Sequence, residues 1–283
     1  MTDKVSIESL LKKKSDRIPI TLLTAYDYPM GSILDSCDID IILVGDSVAN
    51  VVLGLESTTS IGMYEMLHHA KAVRRAVKRA LLVGDMPYES YQLDQKDSVK
   101  NARRFMDEAG CEAVKLEWFD SCCQTTADII NAGIPVMGHI GLTPQTADKL
   151  GGFKVQGKDA QAARKLIDEA LLLEKTGIFA IVLECIPDAL AGIITEKLKI
   201  PTIGIGAGPR CDGQALVTHD LLGLFEKHRP KFVKEYVNLS EEMRKAISAY
   251  RSEVEERIFP SKEHSYTMKD SEVQKLKGAA TQK

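Results

Sequence analysis

The sequence contains no run of apolar residues long enough to cross a bilayer, so it has no candidate transmembrane helix. Aromatic residues make up only 6% of the chain, with a single tryptophan. The formal net charge is −3, so lysine and arginine are not in excess. A nucleic-acid-binding domain usually has such an excess. We therefore expect neither a membrane nor a nucleic acid as a partner.

None of the six cysteines is part of a CxxC pair, so the usual pattern of a structural zinc site is missing. The first residues are polar and charged, which is not typical of a secretory signal peptide. Free thiols in a reducing compartment are the simplest interpretation, and we expect a cytoplasmic protein. A mature form that has lost an organellar leader remains the alternative.

Eight short apolar segments recur along the 283 residues, and helical patterns follow most of them. Their length and β-branched residues are typical of strands buried on both faces. Eight such units predict an α/β fold, a closed (β/α)8 TIM barrel. An open doubly wound sheet is the alternative, although no GxGxxG follows the first strand. The predicted strands are 19–24, 39–44, 80–85, 112–117, 134–139, 177–184, 201–205 and 214–218.

The barrel, with a capping helix that begins at Ser6 and a charged helix over 239–256, is predicted to form one domain over 1–261. We expect the capping helix to close the floor of the barrel. Residues 262–283 are polar without periodicity, and we expect a disordered tail. The other predicted helices are 29–35, 63–80, 96–109, 125–132, 160–175 and 187–198.

Four carboxylates lie at predicted strand ends: Asp46, Asp85, Glu117 and Glu184. In a (β/α)8 barrel these ends converge on the face that carries the active site. Carboxylates in one cleft repel one another, and a divalent cation offsets that repulsion. Oxygen ligands without cysteine favour Mg²⁺ over zinc. We predict Asp46 and Asp85 as direct ligands and Glu117 as a ligand directly or through water. A helix cap or a surface position is the alternative for each acid alone.

Other polar residues are predicted to lie at the same barrel end. Lys115 either forms an ion pair with a neighbouring carboxylate, holds a substrate carboxylate or forms a Schiff base. His139 is either a hydrogen-bonded core histidine or a ligand. The glycines of 206–208 either bind phosphate or serve the turn. Ser47 and Tyr26 also follow strand ends.

Six motifs occur in order along the chain. They are Thr-Ala-Tyr-Asp at 24–27, Val-Gly-Asp-Ser at 44–47, Lys-Leu-Glu at 115–117, Gly-His-Ile-Gly-Leu-Thr-Pro-Gln at 138–145, Gly-Phe-Lys-Val-Gln-Gly at 152–157 and Gly-Ile-Gly-Ala-Gly at 204–208. Together they make the chain resemble the ketopantoate hydroxymethyltransferase family, from about residue 6 to residue 264.

The resemblance implies a barrel of the phosphoenolpyruvate/pyruvate-binding type. It also implies the transfer of a one-carbon unit from 5,10-methylenetetrahydrofolate to 3-methyl-2-oxobutanoate through a Mg²⁺-stabilised enolate. The product would be ketopantoate, an intermediate of pantothenate and coenzyme A biosynthesis. A homodecamer is implied as well, and the helix predicted over 239–256 is a candidate for the contact between subunits.

Carried over by motif, the resemblance assigns roles to the residues at the strand ends. The implied magnesium ligands are Asp46, Asp85 and Glu117. The residues expected to contact the keto acid are Asp46, Ser47, Asp85, Lys115 and His139. The alternative for His139 is a hydrogen bond to a carboxylate of the protein. Glu184 is implied as the base that takes the proton from carbon 3. The loop over 151–158 is expected to close over the site.

The chain departs from the family pattern in two places. Trp118 and Phe119 follow the fourth strand, where glycines are usual, and Gly84 stands where alanine is usual. We expect the two aromatic residues to narrow the mouth or to change where folate lies. Two other functions remain open: a carbon–carbon lyase or mutase that uses Mg²⁺ and a 2-oxo acid on the same barrel, and a barrel retained as a binding or scaffold protein.

Overall fold

The computed structural model describes residues 3–93, 95–227 and 229–279. Eight parallel strands form a closed barrel in sequential order, and β8 pairs with β1. The predicted (β/α)8 barrel is confirmed, and the open doubly wound sheet is excluded. The strands are β1 Ile20–Thr24, β2 Ile41–Val44, β3 Leu81–Asp85, β4 Ala113–Glu117, β5 Val136–Gly141, β6 Ala180–Glu184, β7 Thr202–Ile205 and β8 Gly213–Leu216.

Helices precede, connect and follow the strands. They are α1 Ile7–Ser15, α2 Tyr28–Ser36, α3 Val48–Val51, α4 Met63–Ala76, α5 Ser98–Asp107, α6 Cys122–Asn131, α7 Ala160–Thr176, α8 Asp188–Lys197, α9 Thr218–Leu221, α10 Leu239–Glu255 and α11 Asp270–Ala279. Short 3₁₀ turns cover Thr58–Ser60, Tyr88–Ser90, Gln95–Asp97, Pro144–Leu150 and Lys262–His264. In the part of the chain that the structure describes, no helix has the length and apolar character of a membrane span.

The core has two layers, one inside the barrel and one between the strands and the surrounding helices. Side chains alternate along a strand, so every second residue points inward. Leu81 and Val83 of β3 belong to the inner layer, and Asp85 continues their face. In β4, Ala113 is an inner residue, and Lys115 continues its face. The same alternation that fills the barrel therefore brings charged side chains to its carboxyl-terminal end, which we call the mouth.

The amino-terminal end of the barrel, the floor, is closed by α1 as expected. Lys13 Nζ lies 2.6 Å from Asp40 Oδ1, and Lys14 Nζ lies 2.6 Å from Asp212 Oδ2. Both aspartates precede strands, and each also accepts hydrogen bonds from the backbone and hydroxyl of a threonine. Two ion pairs thus attach the helix to residues that lie beside β2 and β8.

Helix α4 ends at Ala76, so the prediction of a helix over 63–80 is wrong for its last four residues. The carboxylate of Asp35 accepts hydrogen bonds of 2.8–3.2 Å from the backbone amides of residues 78–80. Because these amides donate to a side chain of α2 and not to carbonyl oxygens of α4, the helix does not continue through residues 78–80.

Strand β8 ends at Leu216, two residues before the predicted end at Thr218. Thr218 begins the short helix α9, and its hydroxyl donates to the carbonyl oxygen of Thr24 at 2.6 Å. Its backbone amide donates to Thr24 Oγ1 at 3.1 Å. These two bonds to the end of β1 take the place of further strand pairing between β8 and β1.

The chain divides into two compact units, Met1–Tyr236 and Val237–Lys283. Helix α10, which the sequence analysis assigns to the domain over 1–261, lies in the second unit. Residues 262–283, for which we expect a disordered tail, include α11. Acidic residues in its first turn and a 2.8 Å pair between Lys275 and Glu272 favour this helix. Residues 1–2 of the predicted domain and 280–283 of the predicted tail lie outside the described residues.

Candidate active site

Strand register brings the predicted site residues together at the mouth. Asp85 of β3 pairs with Lys115 of β4, and Glu117 of β4 pairs with His139 of β5. Glu184 ends β6 and pairs with Gly141. Parallel neighbours in register point to the same side of a sheet, so these side chains share the inner face. Sequence reasoning predicted their common location without knowing the register.

Asp46 and Asp85 are neighbours. Asp46 lies two residues beyond β2, and its backbone amide donates to Asp85 Oδ2 at 3.2 Å. Lys115 Nζ lies 2.7 Å from Asp85 Oδ1. All three residues are buried. The two predicted metal ligands therefore lie side by side, and a buried cation accompanies them.

Burial raises the pKa of Asp85 to about 7, and the charges of Asp46 and Glu117 add to the rise, while Lys115 opposes it. Burial acts to lower the pKa of Lys115, but the charges of the three carboxylates outweigh it and raise that pKa above its usual range. Lys115 therefore stays an ammonium at neutral pH. A protonated amine has no lone pair for attack, which counts against the Schiff-base role.

His139 lies between two carboxylates. Its Nε2 is 3.2 Å from Glu184 Oε2, and its Nδ1 is 3.5 Å from Glu117 Oε1. Burial and the charge of Lys115 act to lower the pKa of His139, but the carboxylates of Glu117 and Glu184 outweigh them and raise it to about 9. The two carboxylates therefore favour the protonated imidazole. This arrangement fits contact with a carboxylate, the alternative to a contact with the keto acid.

Gln145 is a residue of the site that the sequence analysis did not single out. Its backbone amide donates to Glu117 Oε2 at 3.0 Å, and its side-chain Nε2 donates to Asp46 Oδ2 at 2.9 Å. Tyr91 Oη donates to Gln145 Oε1 at 2.6 Å. Both Gln145 and Tyr91 are buried. A polar residue directly after a Thr-Pro turn at a strand end was the available signal.

Ser47 directly precedes α3, beside Asp46, and is half-buried. Its Oγ lies 2.7 Å from Tyr26 Oη, so either hydroxyl can donate. His69 Nδ1 lies 2.7 Å from the carbonyl oxygen of Tyr26. Tyr26 thus fixes the hydroxyl of Ser47 at the side of the mouth where β1 and β2 end.

The oxygen ligands at the mouth fit a Mg²⁺ ion that water and substrate also coordinate. They do not fit an ion that protein side chains alone coordinate. Among the described residues, no group of three or more His, Cys, Asp or Glu side chains is arranged to hold a metal ion. Mg²⁺, however, is usually held by one or two carboxylates together with water and substrate oxygens. Asp85 Oδ1 is buried, and within the described part of the chain its ion-pair partner is the ammonium of Lys115, 2.7 Å away. Asp85 and its neighbour Asp46 therefore fit such a site.

Glu117 is placed differently. Burial raises its pKa, which His139 partly offsets. Its Oε2 accepts from the backbone amide of Gln145, and its Oε1 faces His139. With both oxygens engaged, the geometry fits a contact to the ion through water, one of the two roles predicted for this residue.

The glycines after β7 serve the turn. Gly206 and Gly208 have φ of 65° and 76°, where glycine is favoured. A Cβ at Gly206 would lie 2.6 Å from Phe232, and one at Gly208 would lie 2.3 Å from Asp188. Close packing accounts for both glycines without a phosphate.

The two departures from the family pattern have local explanations. A Cβ at Gly84 would lie 2.4 Å from the ring of Phe105, so α5 packs into the space that an alanine would fill. Trp118 borders a cavity of about 590 Å³ beside α7, together with Arg164, Lys165 and Glu169. Phe119 packs edge-on against Tyr91, with ring centroids 5.5 Å apart.

The family model described as ketopantoate hydroxymethyltransferase matches residues 4–262. The chain belongs to this family. It is 52% identical over 272 residues to the 3-methyl-2-oxobutanoate hydroxymethyltransferase of Thermoanaerobacter sp. strain X514, a match that covers 96% of this chain and 99% of the relative. The resemblance seen in the motifs is thereby confirmed across the barrel, and membership of the family makes the chain an enzyme, a transferase that acts on small molecules.

Solved structures show the same fold at low sequence identity. One is 2,3-dimethylmalate lyase, described as a PEP mutase/isocitrate lyase superfamily member, with a TM-score of 0.58, 11% identity and coverage of 99% of this chain and 100% of that one. Another is phosphonopyruvate hydrolase in complex with oxalate and Mg²⁺, with a TM-score of 0.57, 12% identity and coverage of 98% and 96%. These likenesses show the same barrel fold.

Proposed function

We propose that this chain transfers a hydroxymethyl group from 5,10-methylenetetrahydrofolate to 3-methyl-2-oxobutanoate and so produces ketopantoate for pantothenate and coenzyme A biosynthesis. Membership of the family and the name of its 52% identical relative support this reaction. The observation that carries the mechanism is the 3.2 Å hydrogen bond from Asp46 N to Asp85 Oδ2. This bond makes Asp46 and Asp85 neighbours, and the mechanism requires that their carboxylates share one ion.

Asp46 and Asp85 are proposed to hold Mg²⁺ directly, with Glu117 in contact through water. When bound, Mg²⁺ polarises the carbonyl of a 2-oxo acid and stabilises the charge that develops when the neighbouring proton leaves. Lys115 lies next to Asp85 and is proposed to hold the carboxylate of the keto acid. Ser47, fixed by Tyr26, supplies a hydroxyl to the same substrate.

Glu184 is proposed to take the proton from carbon 3. Its side chain is 14% exposed, whereas His139 beside it is 3% exposed, so Glu184 is the more accessible of the two. His139 Nε2 lies 3.2 Å from Glu184 Oε2 and is proposed to orient the carboxylate. The new carbon–carbon bond then forms at carbon 3, where the proton left.

The decisive test is proton exchange at carbon 3 of 3-methyl-2-oxobutanoate in D₂O, followed by NMR. We expect exchange with Mg²⁺ present and none after EDTA, and ketopantoate should form once methylenetetrahydrofolate is added. Exchange that EDTA does not affect would contradict the mechanism. A lyase or mutase would form no ketopantoate when methylenetetrahydrofolate is added, and a scaffold protein would show neither exchange nor transfer.

A homo-oligomer, as a decamer, is part of the proposal. Helix α10 has no buried side chain, and its apolar residues Met243, Ile247 and Tyr250 are 51%, 63% and 58% exposed. Their spacing of four and three residues forms one stripe suited to contact between subunits. Sedimentation should give about ten times the mass of one chain, and a monomer would contradict it. The six free cysteines support a cytoplasmic location.

A further inference from the structure

The amide of Gln145 connects the acidic residues on both sides of the mouth. Its Nε2 donates to Asp46 Oδ2 at 2.9 Å and to the carbonyl oxygen of Met86 at 3.0 Å. The backbone amide of the same residue donates to Glu117 Oε2. Gln145 thus contacts one proposed ligand through its side chain and another through its backbone, and it follows β5, which supplies neither.

Hydrogen-bond logic fixes which end of the amide faces Asp46. The backbone amide of Glu117 donates to Tyr91 Oη at 3.0 Å, so the hydroxyl accepts there and its own proton is free to donate. It donates to Gln145 Oε1 at 2.6 Å, and Gln92 Nε2 donates to the same oxygen at 3.2 Å. Two donors at Oε1 leave the NH₂ group for Asp46 and Met86. The reversed amide would place an oxygen against a carboxylate and a carbonyl.

We propose that Gln145 is a positioning residue of the metal site: its NH₂ group, oriented by Tyr91, holds Asp46 Oδ2 so that the other oxygen of Asp46 faces the ion. This inference rests on the proposed function, because it assumes that Asp46 binds Mg²⁺. Partners that orient ligands in this way commonly change metal affinity by about 10–100-fold when removed.

The test compares Mg²⁺ affinity with folding. Gln145→Met keeps the length of the side chain and removes both polar ends. We expect calorimetric titration to show the Mg²⁺ Kd raised by about 10–100-fold. Tyr91→Phe removes one of the two donors to Gln145 Oε1 and should raise the Kd by a smaller factor. Gln92→Met is the matched control, because Tyr91 still orients the amide, and its Kd should stay within about two-fold of the wild-type value.

Thermal melting of the metal-free proteins separates positioning from a purely structural role. A lowered Tm with an unchanged Mg²⁺ Kd in folded Gln145→Met would overturn the inference and leave the proposed function standing. Tyr91→Phe decides the same question if Gln145→Met does not fold. A wild-type chain that binds no Mg²⁺ would overturn the inference and the proposed metal site together.

Discussion

Lys115 Nζ lies 2.7 Å from Asp85 Oδ1, and the two side chains are only 5% and 2% exposed. The pair is a buried ion pair at the centre of the mouth. Removing one partner of such a pair leaves an uncompensated charge in a low-dielectric interior, whereas removing both does not. Stability and metal binding can therefore be separated at this pair.

We predict that Asp85→Asn destabilises the fold by about 3–5 kcal/mol and weakens Mg²⁺ binding. Lys115→Met should also destabilise it, because Asp85 is then a buried carboxylate without its cation. In the double variant neither charge of the pair remains, so part of the lost stability should return, while Mg²⁺ binding stays weak. Urea unfolding and calorimetric titration measure the two effects. Unaltered Mg²⁺ affinity in Asp85→Asn would count against Asp85 as a ligand.

Borohydride should not trap a covalent adduct of the chain with the keto acid. The carboxylates around Lys115 raise its pKa above the usual range, so the amine carries a proton and cannot attack a carbonyl. Mass spectrometry after reduction should give the mass of the unmodified chain. A mass increase that disappears in Lys115→Met would show that the Schiff base forms.

Glu184→Gln should bind the keto acid normally and lose proton exchange. The amide has the shape of the acid and still offers an oxygen to His139 Nε2, but it is a poor proton acceptor. We expect exchange, followed by NMR in D₂O, to fall by about 10²–10⁴-fold. Normal exchange would mean that the base is another residue.

Gly141 should be needed for the position of Glu184. Its φ is 95°, and a Cβ there would lie 2.2 Å from the carbonyl oxygen of Glu184. Gly141→Ala should therefore lower both the Tm and the rate of proton exchange. Gly133→Ala is the matched control: its φ is 82°, but among the described residues nothing lies within 4 Å of the added Cβ. It should cost about 1–2 kcal/mol of stability and leave exchange unchanged.

Glu169 on α7 should make stability depend on pH. Burial raises its pKa from 4.5 to about 7, and Lys165, 3.8 Å away, only partly opposes this. The folded chain thus binds this proton more tightly than the unfolded chain, so the stabilisation is present below pH 4.5 and is lost as the pH rises through about 7.

Glu169→Gln removes that titration. Its Tm relative to the wild type should rise between pH 5 and pH 8, by about 2–4 °C, which corresponds to about 1 kcal/mol in a chain of this size. Asp168→Asn changes an exposed neighbour on the same helix and is the matched control. A Tm difference for Glu169→Gln that is constant with pH would contradict the prediction.

The barrel could be predicted from the sequence because its signals are local. Each strand is a short apolar run, and a period of two places Asp85, Lys115 and Glu117 on the inner face once the strands are parallel. The convergence of these side chains follows from the fold class alone, so their common location could be predicted from the sequence.

The remaining features depend on contacts that sequence position does not reveal. Helix α4 ends because Asp35, 43 residues before Lys78, takes its backbone amide. Gln145 belongs to the site because it meets Asp46, 99 residues away. Which ring nitrogen of His139 faces which carboxylate is decided by packing as well.

The pairs of Lys13 with Asp40 and of Lys14 with Asp212 lie at the end of the strands opposite the chemistry. Trade-offs between activity and robustness arise where the same residues serve both. In this chain the ion pairs that anchor α1 lie at the floor of the barrel, and the proposed active site lies at the mouth. Selection for heat tolerance can therefore change the two lysines and their partners without changing turnover.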